Sequence, residues 1–278
     1  MGGNSIYSRV PEEKKALITN VGKVARRVIR NIEKLKPDFV YIFKQKNVGW
    51  NKENPEYKKV LESFEKDATI RSLIKAQKID WPEIDSLTNY ITLFDTLADL
   101  IEECQKRKFD KIYIDCTGFT KRATNVAEHL AGMVPGNIYL ILNPGTVNES
   151  YSDKRDSDYV NDPGTGPEAV SFIKINTKWV SDPESNPFKV MQAAYTIVRS
   201  DKDIYKKFNK SDIIKTVAKL GMEITTVELG RACEKLVDIG FLVPPPFPTG
   251  PNDYSITLPA FAFMRRNLER SRLLEGGS

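Results

Sequence analysis

The chain has 278 residues, of which 40% are hydrophobic, and a formal net charge of +5. A chain of this length can bury a sizeable core in one or two domains, and we expect two. Three scattered cysteines, Cys104, Cys116 and Cys233, and a single histidine, His129, argue against a disulfide framework or a zinc site. With no run of about 20 apolar residues and no signal-peptide segment, the sequence predicts a cytoplasmic protein that does not enter a membrane.

The first 180 residues alternate between segments typical of strands and of helices. Strands rich in Ile, Val, Leu and Tyr are predicted at 15–20, 38–44, 111–116 and 137–143, and an edge segment interrupted by Pro82 at 78–85. Helices are predicted from the apolar stripe Val24, Val28, Ile32 and Leu35, over the charged segment 55–76, after Ser86, and from the stripe Ala123, Val126, Ala127 and Leu130. This alternation predicts an α/β fold with a Rossmann-like, mostly parallel sheet.

Three predicted strand ends lead into polar or glycine-rich turns, TNVGK (19–23), DCTGFTK (115–121) and NPGTVNES (143–150). Parallel strands bring such turns to one edge of a sheet, where ligands usually bind. Gly22 and Gly118 leave room for a ligand beside the backbone, and free N–H groups at helix starts favour anions. Each turn alone is equally well explained as a helix cap; two that face one another favour a site. No G-x-G-x-x-G or G-x-x-x-x-G-K-[ST] motif occurs, which disfavours a dinucleotide dehydrogenase or a P-loop ATPase.

The strand end YIDCTGFTKR, in a domain whose first strand–helix unit ends TNVGK, resembles the signature of CARF domains, the CRISPR-associated Rossmann fold. The resemblance covers about residues 14–180, with Phe119 where the family typically has a second glycine and Asn20 where a small hydroxyl residue is common. It implies a homodimer that binds cyclic oligoadenylate across its two-fold axis, with cyclic tetra-adenylate as the expected ring and no metal or other cofactor. The ligand contacts that it implies are Asn20, Gly22, Thr117, Gly118, Thr120 and Lys121.

The segment 143–168 is rich in Gly, Pro, Asn, Asp and Ser and has no helical periodicity. Loops of this length in a compact domain often serve as lids or binding loops. Such a lid would cover bases and phosphates with Tyr151, Tyr159, Lys154 and Arg155. A plain surface insertion is the alternative.

Composition divides the chain into a CARF-like domain at 1–180, a linker at 181–187 and a second domain at 188–273. Residues 274–278, LEGGS, have the composition of an artificial extension and are left out of the fold prediction. The second domain is predicted to begin with a helix at 188–198, whose apolar residues recur at helical spacing.

A second helix with Ser211 as its N-cap should end at Gly221, and a third should open with a capping box formed by Thr225 and Glu228. Two strands about a Pro-Gly turn follow at 241–258. Helix, turn, helix and hairpin predict a winged helix-turn-helix, a module that often follows CARF domains.

Residues 185–278 hold 14 Lys and Arg against 10 Asp and Glu, so most of the positive excess lies in the second domain. In a DNA-binding module, Arg231 and Lys235 would face the groove, and Lys206 and Lys207 would hold the backbone. The predicted outward face of the third helix, however, has no net charge, because Glu228 and Asp238 balance its two basic residues. A dimerisation element that never contacts DNA is therefore the alternative.

The resemblance to CARF domains, with the predicted second domain, implies a cyclic oligoadenylate-sensing regulator of a type III CRISPR antiviral system, in which ligand binding changes DNA binding and transcription. The alternative is an enzyme, a metal-independent ring nuclease that cleaves the same ligand with Lys121 and Thr120 stabilising the developing charge. His129 is expected to pack rather than act as a base. An effector nuclease is disfavoured, because the sequence after Val180 has neither a carboxylate–lysine cluster nor an R-x-x-x-x-H signature.

Overall fold

The computed structural model describes residues 13–21, 25–45, 55–84, 87–142, 168–171, 174, 177–244 and 253–275. The chain forms two compact units. The first comprises residues 1–131 and 135–173, and the second comprises residues 132–134 and 174–278.

The first unit is built on a sheet whose described strands are β1 Lys15–Asn20, β2 Phe39–Gln45, β3 Ile79–Asp80, β4 Glu83–Ile84, β5 Lys111–Asp115, β6 Ile138–Leu142 and β7 Glu168–Ser171. The strand order is β3-β2-β1-β5-β6-β7, with β4 also paired to β2. β7 runs antiparallel to β6, and the other described pairings are parallel. The Rossmann-like, mostly parallel α/β sheet is therefore confirmed. β7 was not predicted, because its four residues show too little periodicity.

Five helices accompany this sheet in the described part of the chain, α1 Ala25–Leu35, α2 Pro55–Lys66, α3 Ala68–Lys75, α4 Tyr90–Lys106 and α5 Lys121–Met133. The helical segment predicted at 55–76 is confirmed in its extent, but it consists of two helices, α2 and α3. Asp67 divides them and accepts a hydrogen bond from the Thr69 backbone N–H at 2.8 Å, which caps α3. The predicted helix start after Ser86 is wrong, because α4 begins at Tyr90 with Asn89 as its N-cap.

The core covers both faces of the sheet. Successive strand residues point to opposite faces, and the adjacent pairs Leu17 with Ile18 and Tyr41 with Ile42 are all fully buried. One face packs on α1, α2 and α3 through a cluster that includes Phe64. On the other face the Tyr41 hydroxyl donates a hydrogen bond of 2.8 Å to a carboxylate of α4. Burial of both faces explains why these strands are continuous hydrophobic runs.

The second unit consists of α6 Lys178–Ser181, α7 Asn186–Asp201, α8 Lys210–Lys219, α9 Thr226–Asp238, α10 Leu258–Glu275 and the antiparallel pair β8 Leu242–Val243 and β9 Ser255–Ile256. The capping box of Thr225 and Glu228 is confirmed. The order of α8, α9 and the strand pair agrees with the predicted helix-turn-helix and hairpin. Assignment to the winged-helix class stays a prediction. None of the helices in the described residues is long and apolar enough to cross a membrane.

Ser211 is not the N-cap of α8. Asn209 takes that position, because its Oδ1 accepts a hydrogen bond from the Asp212 N–H and the Asp212 carboxylate accepts one from the Asn209 N–H, both at 3.0 Å. The side chain of Ser211 is exposed within the first turn. Asn and Ser are equally common as caps, so the choice between the two residues depends on where the preceding chain enters the helix.

Asn209→Ala should therefore lower the free energy of unfolding of the second unit by about 1 kcal/mol, the usual cost of deleting a cap. Ser211→Ala is the matched control and should change it by less than about 0.5 kcal/mol, as expected for an exposed surface site. Urea denaturation followed by circular dichroism measures both changes. A larger loss from Ser211→Ala than from Asn209→Ala would contradict the capping geometry.

Candidate functional site

The candidate site lies where β1 and β5 end side by side. The two strands are adjacent and parallel, so Asn20 at the end of β1 and Asp115 at the end of β5 reach the same edge of the sheet. The chain leaves β1 towards β2 on one side and leaves β5 towards β6 on the other. Ligands of open α/β sheets bind in the crevice at such a reversal of strand order.

A buried carboxylate organises this edge. The side chain of Asp115 is fully buried and accepts hydrogen bonds from the Thr117 N–H at 2.9 Å, the Thr19 hydroxyl at 3.1 Å and the Asn31 amide at 3.0 Å. These donors belong to three different parts of the unit, namely the turn itself, β1 and α1. The network therefore ties the turn after β5 to the neighbouring strand and helix.

Burial raises the pKa of Asp115 above its ordinary range, and the hydrogen bonds from Thr117, Asn31 and Thr19 oppose that shift only in part. The charged form is costly to bury, whereas the hydrogen-bond donors favour it. The carboxyl group is thus better suited to holding the turn than to contacting a ligand, since it has no exposed surface.

Gly118 and Phe119 of the turn both contact neighbouring strands of the sheet. Cys116–Gly118 form a single 3-10 turn, and the carbonyl oxygen of Gly118 accepts a hydrogen bond of 2.9 Å from the Asn20 amide. Phe119 is half-buried and packs on the fully buried Phe43 of β2, with ring centroids 6.1 Å apart. The phenyl ring at the position of the second family glycine therefore fills space next to the core.

The start of α5 supplies a helix cap and a free cation. The Thr120 hydroxyl accepts a hydrogen bond from the Ala123 N–H at 3.2 Å and donates one to the carbonyl of Leu87 at 3.3 Å. Lys121 is exposed and forms no hydrogen bond or ion pair with the part of the chain that the structure describes. The side chain of Arg122 donates to the Thr88 carbonyl at 2.9 Å. Lys121 is therefore available to an anion, whereas Thr120 already makes two contacts.

The structure places Asn20, Thr117, Gly118 and Thr120 around one turn, with Lys121 next to them; their role as ligand contacts stays a prediction. Gly22 lies outside the described residues, as do residues 143–167 of the lid predicted at 143–168, with its two tyrosines, whereas Glu168 begins β7. Asn20 is only 2% exposed, so any contact that it makes with a ligand requires an opening of the turn.

Sequence reasoning missed Thr19, Asn31 and Asp115 as members of the site. A signal for Asn31 exists, because it is a polar residue beside the apolar stripe of α1 that contains Val28 and Ile32. The amide of Asn31 also donates to the Thr117 hydroxyl at 3.4 Å. Only the packing of α1 against the strand ends shows that this polar residue faces Asp115.

The amide orientations of Asn20 and Asn31 are set by their acceptors. Rotating either amide by half a turn would place its oxygen against the Gly118 carbonyl or the Asp115 carboxylate. Both Oδ1 atoms are buried without a hydrogen-bond partner in the described structure. Buried polar atoms usually have a partner, so each is a point where a water molecule or a donor would be stabilised.

His129 lies on α5 eight residues beyond Lys121, which corresponds to about 12 Å along the helix. Its Nδ1 is 2.8 Å from the Tyr90 hydroxyl, and burial lowers the pKa of the imidazole. This histidine packs between α4 and α5 and is too far along the helix to reach the turn. Within the described ranges, no three His, Cys, Asp or Glu side chains are grouped so that they could hold a metal ion.

The residues predicted to bind DNA lie on α9 and in the segment before α8. Exposed Arg231, Glu234, Lys235 and Asp238 lie on α9 with the half-buried Glu228, and these five charges sum to −1. The outward face predicted from the sequence has four of these charges and a net charge of zero, and Glu234 adds the fifth. Two lysines are predicted to contact the DNA backbone. Lys206 forms an ion pair with Asp201, and Lys207 is exposed.

No family model matches this sequence, and no curated protein matches it either. Among solved structures, Csm6 from Enterococcus italicus bound to cyclic hexa-2′-fluoro-hexa-dAMP has 14% identity, a TM-score of 0.43, and coverage of 75% of this chain and 55% of its own. Protein VC1899 from Vibrio cholerae has 12% identity and a TM-score of 0.32, covering 90% of this chain and 64% of its own. Can2 from Sulfobacillus thermosulfidooxidans in complex with cyclic tetra-adenylate has 12% identity and a TM-score of 0.33, covering 92% of this chain and 65% of its own. The chain thus spans less than two thirds of the length of each neighbour.

Asp115 should make stability depend on pH. Because its folded pKa is raised, the folded chain keeps a proton that the unfolded carboxyl group, with a pKa of about 4, has already released. This contribution to the free energy of unfolding is complete below about pH 4 and is lost as the pH rises through the folded pKa. Asp115→Asn removes it, so the stability of the wild type relative to the variant should decrease with rising pH.

Urea denaturation of both proteins between pH 4 and 8 measures this difference. Glu65→Gln, at an exposed position on α2, is the control for the replacement of a carboxyl group by an amide. A difference between wild type and Asp115→Asn that stays constant or increases with pH would show that burial does not dominate the titration of Asp115.

Proposed function

We propose that this chain is a cyclic oligoadenylate sensor of a type III CRISPR system, a regulator in which ligand binding at a homodimeric CARF domain controls DNA binding by the second unit. The observation that carries the proposal is the Thr-Gly-Phe-Thr-Lys turn at the reversal of strand order, anchored below by Asp115 and bearing the free cation of Lys121.

The chemistry of the ligand matches this site. A cyclic oligoadenylate is a ring of phosphates and 2′-hydroxyl groups with pendant bases, so it needs cations, backbone donors and polar side chains. A two-fold symmetric ring is best met by two copies of one site, which is the reason for proposing a homodimer. The ring expected for this site is cyclic tetra-adenylate. Gly22 and the lid predicted at 143–168 would complete the proposed site.

DNA binding by the second unit is supported by the residues that precede and begin α8. Lys207 is exposed and Lys210 begins the helix, so both can reach phosphates. Arg231 and Lys235 are exposed on α9, where a recognition helix would present them to the groove. Acidic neighbours on α9 weaken the attraction of these basic residues to phosphate. We therefore expect a modest affinity for duplex DNA that falls steeply with salt.

Lys121→Ala should weaken binding of cyclic tetra-adenylate by about 1.5 to 3 kcal/mol for each subunit, the usual range for a hydrogen bond to a charged group. The fold should survive, because the side chain is exposed. Isothermal titration calorimetry measures the affinity. Lys34→Ala is the matched control, since Lys34 is exposed in the last turn of α1 at the opposite edge of the sheet.

Unchanged affinity in a folded Lys121→Ala protein would remove the turn from the proposed site. Equal losses in both lysine variants would mean that the ligand responds only to total charge.

Ligand and DNA should influence one another by the same factor, because coupling between two binding equilibria is reciprocal. Adding cyclic tetra-adenylate should change the affinity for a duplex from the protein's own promoter, and the duplex should change ligand affinity equally.

The double variant Arg231→Ala and Lys235→Ala should reduce the preference for the promoter over an unrelated duplex. Lys206→Ala with Lys207→Ala should weaken both duplexes alike. If no duplex is retarded at low salt, with or without ligand, the regulatory half of the proposal fails.

A ring nuclease is the second candidate, and the negative net charge of α9 favours it, because that charge disfavours DNA. In this reaction a ribose 2′-hydroxyl attacks the adjacent phosphorus, loses its proton and forms a 2′,3′-cyclic phosphate, while the 5′-oxygen leaves and is protonated. Lys121 would stabilise the charge that develops on the phosphate. Thr120, whose hydroxyl caps α5, would help to position the phosphate. Chromatography of labelled ligand after incubation distinguishes the candidates: intact ligand supports the sensor, and linear products support the nuclease.

A further inference from the structure

Tyr205 is the most exposed large hydrophobic residue in the described part of the chain. It is 81% exposed, compared with 63% for Val227 and 45% for Val243. Scattered aliphatic residues at a surface are ordinary. An aromatic ring that stands almost completely in water is a stronger indication of a contact surface, because aromatic residues bury large areas when they bind.

The turn that carries Tyr205 is held in place by its own hydrogen bonds. The Asp203 carboxylate accepts from the Tyr205 N–H at 2.9 Å, and the Asp203 carbonyl accepts from the Lys206 N–H at 3.1 Å. Immediately afterwards, the buried Phe208 exchanges two backbone hydrogen bonds with Tyr254, at 2.7 and 3.0 Å. The ring therefore projects from an ordered turn between two anchored ends, and a partner would not have to order it.

Basic residues precede and follow Tyr205 along the chain. We define residues 202–207 as the Tyr205 turn. Lys202 and Lys207 are exposed, and Lys210 follows at the start of α8. Both acidic residues nearby are already engaged, Asp201 with Lys206 and Asp203 with the turn backbone. The turn thus offers an aromatic ring flanked by free cations, without a free carboxylate beside it in the described residues.

We infer that the Tyr205 turn is the main contact of the second unit with the sugar–phosphate backbone of duplex DNA. The inference rests on the proposed DNA binding of this unit and assigns its principal contact to this turn instead of α9. Lysine is depleted from protein–protein interfaces, so this mixture of residues fits nucleic acid better than a protein. A tyrosine hydroxyl donates readily to a phosphate oxygen, and the two lysines neutralise neighbouring phosphates. The five charges on α9, by contrast, sum to −1.

The test measures fluorescence anisotropy of a labelled promoter duplex and its single strand, in the full chain, over a range of salt concentrations. Tyr205→Ala should weaken duplex binding roughly tenfold to a hundredfold, as expected for a lost hydrogen bond to a charged group. Tyr205→Phe, which keeps the ring, should lose a large part of the same factor. Lys207→Ala should lower the slope of log K against log salt by about 0.9, the value for one phosphate.

Two control variants, and one variant of the competing surface on α9, make the comparison specific. Lys219→Ala removes an exposed lysine about 14 Å along α8 from Lys210, and Val227→Ala removes an exposed apolar side chain from α9. Arg231→Ala tests a direct α9 contact. Each should affect duplex affinity less than Tyr205→Ala does. Thermal unfolding of every variant, unchanged from the wild type, excludes misfolding as the cause.

The outcomes separate this inference from the function on which it rests. Failure of the wild type to bind any duplex overturns DNA binding and the inference together. Normal binding by Tyr205→Ala, with loss in Arg231→Ala, overturns the inference and leaves DNA binding intact. If the chain binds the single strand more tightly than the duplex and Tyr205→Phe keeps that affinity, the ring stacks on bases and does not contact the duplex backbone, which overturns the inference. A Tyr205→Ala protein that binds DNA normally and differs only in oligomeric state assigns the ring to a protein interface.

Discussion

The first unit depends on one buried carboxylate. Asp115 lies at the end of a central strand without exposure to water, where a charge is stable only if several donors surround it. Thr19, Asn31 and the Thr117 backbone supply those donors from a strand, a helix and a turn. Each of these elements must keep its position for the network to be satisfied. The same requirement fixes the backbone of the turn on which the proposed ligand site is built.

A turn whose inner side is fixed by the core is suited to ligand recognition. Its inner side is occupied by Asp115 and by the contact of Phe119 with Phe43, while the start of α5 leaves Lys121 free. A site that is ordered before binding loses less conformational entropy when a ligand arrives. The phenyl ring of Phe119 packs on the buried Phe43 of β2, so it is supported by the core. Packing thus accommodates a phenyl ring at this position of the turn.

The second unit combines strong local signals with an unusual distribution of charge. The capping boxes at Asn209 and Thr225 fix the starts of α8 and α9, and Gly221 and Gly240 adopt positive φ angles of 73° and 74° where these helices end. The charge of the exposed side chains follows a different pattern from the one expected of a groove-reading helix. Positive charge and an exposed aromatic ring concentrate before α8, whereas α9 is slightly acidic.

The sequence by itself determined the features that depend on short-range periodicity. Buried strands 15–20 and 138–142, the edge segment around Pro82, and the stripe of α9 with Thr225 and Glu228 all follow from residue patterns that repeat within a few positions. Its errors lie where two residues of similar propensity compete, as with Ser211 and Asn209, or where an Asp divides one helical pattern into two.

Only the tertiary structure decided which polar residues meet. Asn31 is 84 positions from Asp115, and Thr19 is 96 positions away, so no local pattern can predict that they share a hydrogen-bond network. The exposure of Tyr205 and the pairing of Lys206 with Asp201 are likewise set by the path of the folded chain. Periodicity specifies which face of an element is buried, whereas contacts between distant polar groups arise only when helices and strands have packed.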